Sequence, residues 1–186
     1  MKILIPALLF AILALSAFSQ SASAQNWRKY TPPAGHLSLS FPSSAEPTAQ
    51  VTTTPDAKIG PYTTYLYSVV VDGTIYMVGW VDYSSTFRFD VAKEIAQNRD
   101  NFANGIKGKV VSERPIKFGS YSGIEFVVDT DNGTATAKAR VIIVGTRPIM
   151  LIVVNGKGRD TAADAERFFS SFLLKGQPNT AWNAPR

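Results

Sequence analysis

Apolar and polar positions alternate along most of this chain with a period of two, and short polar turns punctuate the alternation, which is the pattern of half-buried strands. His36-Leu37-Ser38-Leu39-Ser40-Phe41 puts Leu37, Leu39 and Phe41 on one face, and a Pro-Pro-Ala-Gly turn at Pro32 to Gly35 separates it from a short strand after Trp27. Residues 42–56 are rich in Pro, Ser, Thr and Ala and read as loop. Asp72-Gly73 then sits between two long apolar runs, 62–71 and 74–83. Asp-Gly suits the positive φ angles of a type I′ turn, whose twist matches the flanking strands. A two-residue loop pairs Val71 with Thr74, Val69 with Tyr76, Tyr67 with Val78 and Tyr65 with Trp80. One face therefore collects Tyr65, Tyr67, Tyr76 and Trp80, and the other Leu66, Val70, Ile75, Met77 and Val81.

Asn132-Gly133 predicts a second hairpin, which pairs Phe126 with Ala139, Ile124 with Val141 and Val128 with Ala137. In that register Glu125 lies opposite Arg140, and a slip of one residue would send the two charges to different faces. Gly145-Thr146 suits a type II′ turn into 147–154, a run that is apolar on both faces. Two helices break the series. Asp90 caps the first, with Val91, Ile95, Asn98 and Phe102 in one stripe and Gly105 at its end. The second starts near Asp160 or Thr161 and buries Ala165, Phe168, Phe169 and Phe172 before Gly176. Strands that are apolar on both faces need cover on both. The expected architecture is α+β: an antiparallel sheet with helices on both faces, an α/β/α sandwich in which the first helix lies over the tyrosines.

The first 24 residues have a different grammar. Met1-Lys2 precedes an apolar run from Ile3 to Phe18, and Ala22-Ser23-Ala24 gives small residues at a cut site, the form of a cleaved secretory signal with Gln25 as the mature start. An uncleaved anchor is the competing reading. Pro6 and an apolar run shorter than the roughly 20 residues of a spanning helix argue against it. The expectation is a periplasmic or secreted protein with no transmembrane segment after cleavage, one domain over 25–176, and a fraying polar tail over 177–186. The chain has no Cys, which excludes disulfides, a lipid-anchoring cysteine, a thiolate nucleophile and Cys-based metal sites. With Lys2 lost in the leader, 18 Lys and Arg face 14 Asp and Glu, spread along the chain rather than clustered into the basic face that nucleic acid needs.

The two ends of the domain carry a resemblance. Trp27-Arg28-Lys29-Tyr30 is followed by Leu37-Ser38-Leu39-Ser40-Phe41-Pro42 and Pro47. Later, Arg147-Pro148-Ile149-Met150-Leu151 leads through Gly156 to Ala165-Glu166-Arg167-Phe168-Phe169-Ser170-Ser171-Phe172-Leu173-Leu174. These segments resemble the PsbP-like group of small secreted proteins. The resemblance implies an antiparallel sheet between helices and a domain that is not an enzyme. Plant members are extrinsic photosystem II subunits, and distant relatives with the same fold bind a small GTPase; neither role is carried over.

The candidate chemistry is sparse. His36 is the sole histidine, so an envelope-associated hydrolase, the alternative function, would have to use it. The nearest approach to a nucleophile elbow, Gly119-Ser120-Tyr121-Ser122-Gly123, has Tyr121 where the serine should be. Asp129-Thr130-Asp131-Asn132-Gly133 starts like a calcium loop, but Gly133 and Arg140 stand at the fifth and twelfth positions, where the motif wants oxygen ligands. Asn132-Gly133-Thr134 also matches a glycosylation sequon. Gly156-Lys157-Gly158-Arg159 lacks the Gly-Lys-Ser/Thr of a phosphate loop. No cofactor and no metal are expected. Glu125 and Arg140 read as a structural ion pair rather than a catalytic carboxylate and its orienting cation. What remains is binding of a protein or small ligand. The candidate surface is the tyrosine hairpin, with Tyr65, Tyr67, Tyr76 and Trp80 packed under the first helix and Tyr62 and Tyr83 exposed at its open end.

Overall fold

The computed structural model describes residues 26–43, 45–130, 132–159, 161–177 and 180–183. The leader, its cut site and the last three residues of the tail lie outside the described residues. The elements in chain order are β1 (Arg28–Tyr30), β2 (Leu37–Phe41), β3 (Thr48–Thr54), β4 (Tyr62–Val71), β5 (Thr74–Asp82), α1 (Val91–Gly105), β6 (Gly108–Phe118), β7 (Tyr121–Thr130), β8 (Ala135–Val144), β9 (Arg147–Gly156), α2 (Ala162–Ser170), β10 (Leu173–Leu174) and β11 (Trp182–Asn183).

Turn chemistry sets the registers. Asp72 and Gly73 both have positive φ, as a type I′ turn requires, and β4 pairs with β5 as Tyr65↔Trp80, Tyr67↔Val78, Val69↔Tyr76 and Val71↔Thr74. Gly145 takes positive φ and joins Val144 to Arg147 across a two-residue turn. The hairpin between β7 and β8 has the expected register, Glu125↔Arg140 and Phe126↔Ala139. Gly133 has positive φ, its amide donates to the Thr130 carbonyl at 2.8 Å, and the Thr130 hydroxyl and Asn132 side chain tie the loop to Ala135 and Thr134.

The strands form an eight-stranded antiparallel sheet in the order β11-β6-β7-β8-β9-β5-β4-β3, and a small sheet β1-β2-β10 packs beside it. The expected α/β/α sandwich is corrected. The molecule is mostly antiparallel β, a large sheet curled into a half-barrel with two short helices. Apolar residues on both faces were the reason to expect a helical layer on each. Curling encloses part of that surface, and a second sheet covers more of it. Leu37, Leu39 and Phe41 of β2 join Ala165, Phe168 and Phe169 of α2 in one core with Tyr67, Tyr76, Val78 and Trp80. The other face carries α1 chiefly across β6, β7 and β8, where Phe102 and Ala103 meet Phe126, Val128, Ala137 and Ala139. Thus the tyrosines lie under α2 and β2, not under α1. Asp90 does cap α1, its carboxylate accepting the Lys93 amide at 3.0 Å.

Two other expectations change. Residues expected as loop form β3 on one edge of the sheet, and the tail returns to the other edge as β11, where Trp182 pairs with Phe118.

Candidate functional site

Tyr62 and Tyr83, expected to be exposed, are 4% and 8% exposed. The connection from β5 to α1 folds Phe87 and Phe89 over them: Tyr62–Tyr83 and Tyr83–Phe87 ring centroids are 5.5 and 4.7 Å apart. Burial and the nearby Glu94 carboxylate push the Tyr83 hydroxyl well above the ordinary tyrosine value. Glu94 is itself buried, and its carboxyl is pushed up by desolvation against a single side-chain hydrogen bond from Asn98.

The opposite face is continuous from aromatic to ionic. Tyr67, Val78, Leu151, Arg140, Glu125 and Arg114 are successive cross-strand partners over β4, β5, β9, β8, β7 and β6. At the aromatic end Trp80 stacks between Tyr65 and Tyr67, with centroids at 4.7 and 5.5 Å. Tyr67 and Trp80 are buried, Tyr65 is half-buried, and Tyr76 is buried with its hydroxyl pushed up to about 12 by desolvation. At the ionic end Glu125 accepts from Arg140 Nε at 2.7 Å and Arg114 Nε at 2.9 Å, with Lys138 Nζ at 3.5 Å. Burial pushes the Glu125 carboxyl up. The hydrogen bonds and positive charges of Arg114, Arg140 and Lys138 outweigh it and hold the group below the usual glutamate range. Arg140 also donates to Glu166 of α2 at 2.7 Å, and its guanidinium lies 4.6 Å from the Phe169 ring centre and 5.1 Å from that of Trp182.

This arrangement holds charge still rather than moving protons. Burial pushes the Tyr67 and Tyr76 hydroxyls above the ordinary tyrosine value, and Glu125 and Glu166 are both committed to Arg140. His36 is exposed at the start of β2, away from this row, and among the described residues nothing hydrogen-bonds its ring. Among the described residues there is no group of three or more His, Asp and Glu placed to hold a metal ion.

In three dimensions the chain is similar to the solution structure of cyanobacterial PsbP (CyanoP) from Synechocystis, with a TM-score of 0.52 at 11% identity over 85% of this chain and 98% of that one. The fold is PsbP-like. A crystal structure from Bacteroides thetaiotaomicron is also similar, with a TM-score of 0.43 at 16% identity over 81% of this chain; the chain spans 49% of the length of that protein. No family profile matches the chain, and no curated protein matches it in sequence. No helix among the described residues is long and apolar enough to cross a membrane.

With the tyrosine hairpin inside this PsbP-like core, exposed surface lies at its border. All of β3 except Thr54 is exposed; Val51 is 54% exposed beside Tyr65, and Val70 is 65% exposed on the other face of β4. Sequence reasoning missed this edge because Thr-Ala-Gln-Val-Thr-Thr-Thr does not alternate. The usable signal was its β-branched content between Pro47 and Pro55.

Proposed function

We propose that the chain is an exported, non-catalytic binding domain of the periplasm or extracellular space, and that it docks an extended, uncharged segment of a partner protein along β3. The carrying observation is the state of that edge. Edge strands are ordinarily blunted by charge, proline or a bulge. β6 near the opposite edge has all three: Lys109, Glu113, Arg114 and Lys117, Pro115, and a register shift between Val110 and Ser112. β3 pairs its seven residues with β4 without interruption and carries no charge, no proline and no bulge. Its outer backbone groups are a template for strand addition, in which main-chain hydrogen bonds supply affinity and alternate side chains supply selectivity. The buried tyrosine stack stiffens β4 behind it. The leader pattern supports export, and the PsbP-like fold supports a binding rather than a catalytic domain.

The test is a photocrosslinking amino acid at Thr52, with Ser120 in the distant β6–β7 turn as control, in the exporting host. Thr52 should give a discrete adduct that Val51→Lys with Thr53→Lys abolishes, and the exported chain should begin at Gln25. Equal adducts from both positions would overturn the docking edge. A hydrolytic activity lost in a folded His36→Ala chain would overturn the non-catalytic reading.

A further inference from the structure

At the far edge of the sheet the chain fills an aromatic socket with its own Trp182. Its indole packs on Phe118 at 4.8 Å and on Phe172 at 5.9 Å. It also covers the Arg140 guanidinium at 5.1 Å and donates from Nε1 to the Phe169 carbonyl at 2.7 Å. That carbonyl belongs to the last turn of α2, where it also accepts from the Phe172 amide at 3.2 Å and where the helix dipole is negative. The socket thus asks for three things at once: a flat ring for a cation, apolar edges for two phenylalanines, and an N–H donor. Tryptophan has all three, whereas phenylalanine lacks the donor.

The strand that delivers the ring is slight. Among the described residues β11 pairs with β6 at Trp182↔Phe118 and Asn183↔Lys117, extended by a 3.3 Å hydrogen bond from the Gly119 amide to the Ala181 carbonyl. Gly119 permits this approach: a Cβ there would lie 2.8 Å from Thr180 Cγ2. The socket walls belong to β6, β8, α2 and the connection to β10; Phe118, Phe169 and Phe172 are part of the main core, and Trp182 is half-buried against it. Arg140 adds a second sign that this place is built to be occupied. It is buried to 3% side-chain exposure, and its Nη1 has no hydrogen-bond partner among the described residues.

We propose that β11 is an internal ligand, and that the Phe118–Arg140–Phe169–Phe172 socket is a second recognition site, separate from β3, for an extended peptide presenting a tryptophan side chain. The bulge and Pro115 in β6 stop the incoming strand from running far along the edge, so the indole socket rather than a long ladder sets selectivity. The chain's own tail competes at the millimolar-scale effective concentration of a short tether, which keeps the site closed until a better ligand arrives.

The probe is the peptide N-acetyl-Thr-Ala-Trp-Asn-amide, titrated into isotopically labelled full-length protein while the Phe118 and Gly119 amide signals are followed. Trp182→Ala protein should bind it at least about tenfold more tightly than the unaltered chain, as expected from removing a tethered competitor. The peptide with Ala in place of Trp should not bind. In the unaltered chain the Trp182 indole N–H should exchange with solvent well before the β8 amides. Equal binding by both proteins, binding by neither, collapse of Trp182→Ala, or an indole as protected as β8 would each overturn the proposal and make Trp182 a core residue.

Discussion

Replacing Glu125 by Ala tests the row that ties the sheet to α2. Glu125 neutralises three cations of very different exposure. The Arg114 and Lys138 side chains are 53% and 33% exposed, so losing their ion pairs costs at most about 1 kcal/mol each. The Arg140 side chain is 3% exposed and, among the described residues, keeps as its ion-pair partner Glu166, whose side chain is 52% exposed and screened by solvent. An uncompensated buried charge costs about 3–5 kcal/mol, and the surviving Glu166 contact puts the expectation near about 3 kcal/mol. Removing both charges should be milder. In Glu125→Leu with Arg140→Met no buried ion is left, and the orphaned Arg140 Nη1 goes too; the loss is the stacking of the guanidinium on Phe169 and Trp182, about 0.5–2 kcal/mol. Urea unfolding of the wild type, Glu125→Leu, Arg140→Met and the double variant closes a thermodynamic cycle, with a coupling of at least about 2 kcal/mol expected between contacting sites. The pH dependence gives a second handle. Because the folded Glu125 is held below its ordinary value of 4.5, its contribution is present above that pH and is lost as pH falls towards the depressed folded value. The Ala variant should lack this acid-side decline. A cost under about 1 kcal/mol, or strictly additive single changes, would refute the claim that the row bears on stability.

Gly123→Ala should destabilise by about 3 kcal/mol in the same urea assay, at the upper end for overpacking, because the new Cβ would lie 2.2 Å from the Val141 carbonyl oxygen, which is backbone; an unchanged midpoint would show that β7 and β8 are further apart than described. Glu94→Gln should stabilise the protein at pH 7 and not at pH 4. The folded Glu94 value is raised by burial, so its favourable contribution is complete below the ordinary 4.5 and is lost as pH rises through the raised value. Thermal unfolding at the two pH values checks this, and a Gln variant no more stable at pH 7 would refute it.

How much of this could be read from residues alone depends on how local the physics is. Asp72-Gly73 and Gly145-Thr146 were legible because a two-residue turn demands φ angles that few residues tolerate, and the turn then determines every pairing behind it. Glu125 opposite Arg140 was legible for the same reason. Which layer covers which face was not. The tyrosines read correctly as one face of β4 and β5, but whether α1 or α2 lies on them depends on how the chain crosses the curled sheet, and both helices offer an apolar stripe of similar size. Tyr62 and Tyr83 failed for a related reason: the open end of a hairpin is exposed only if nothing folds back over it, and Phe87 and Phe89 do.

The least legible elements, β3, β6 and β11, lie at the edges of the sheet or next to one. Edge strands bury little, so hydrophobic periodicity fades where surface chemistry takes over. The information left in them is of another kind. Proline, charge and a bulge in β6 oppose strand pairing, leaving room at one end for a single tryptophan-bearing strand. The uninterrupted, uncharged β3 opposes nothing. A fold that guards one edge and leaves the other bare offers its neighbours two different surfaces, and under the proposed function that asymmetry is where recognition would reside.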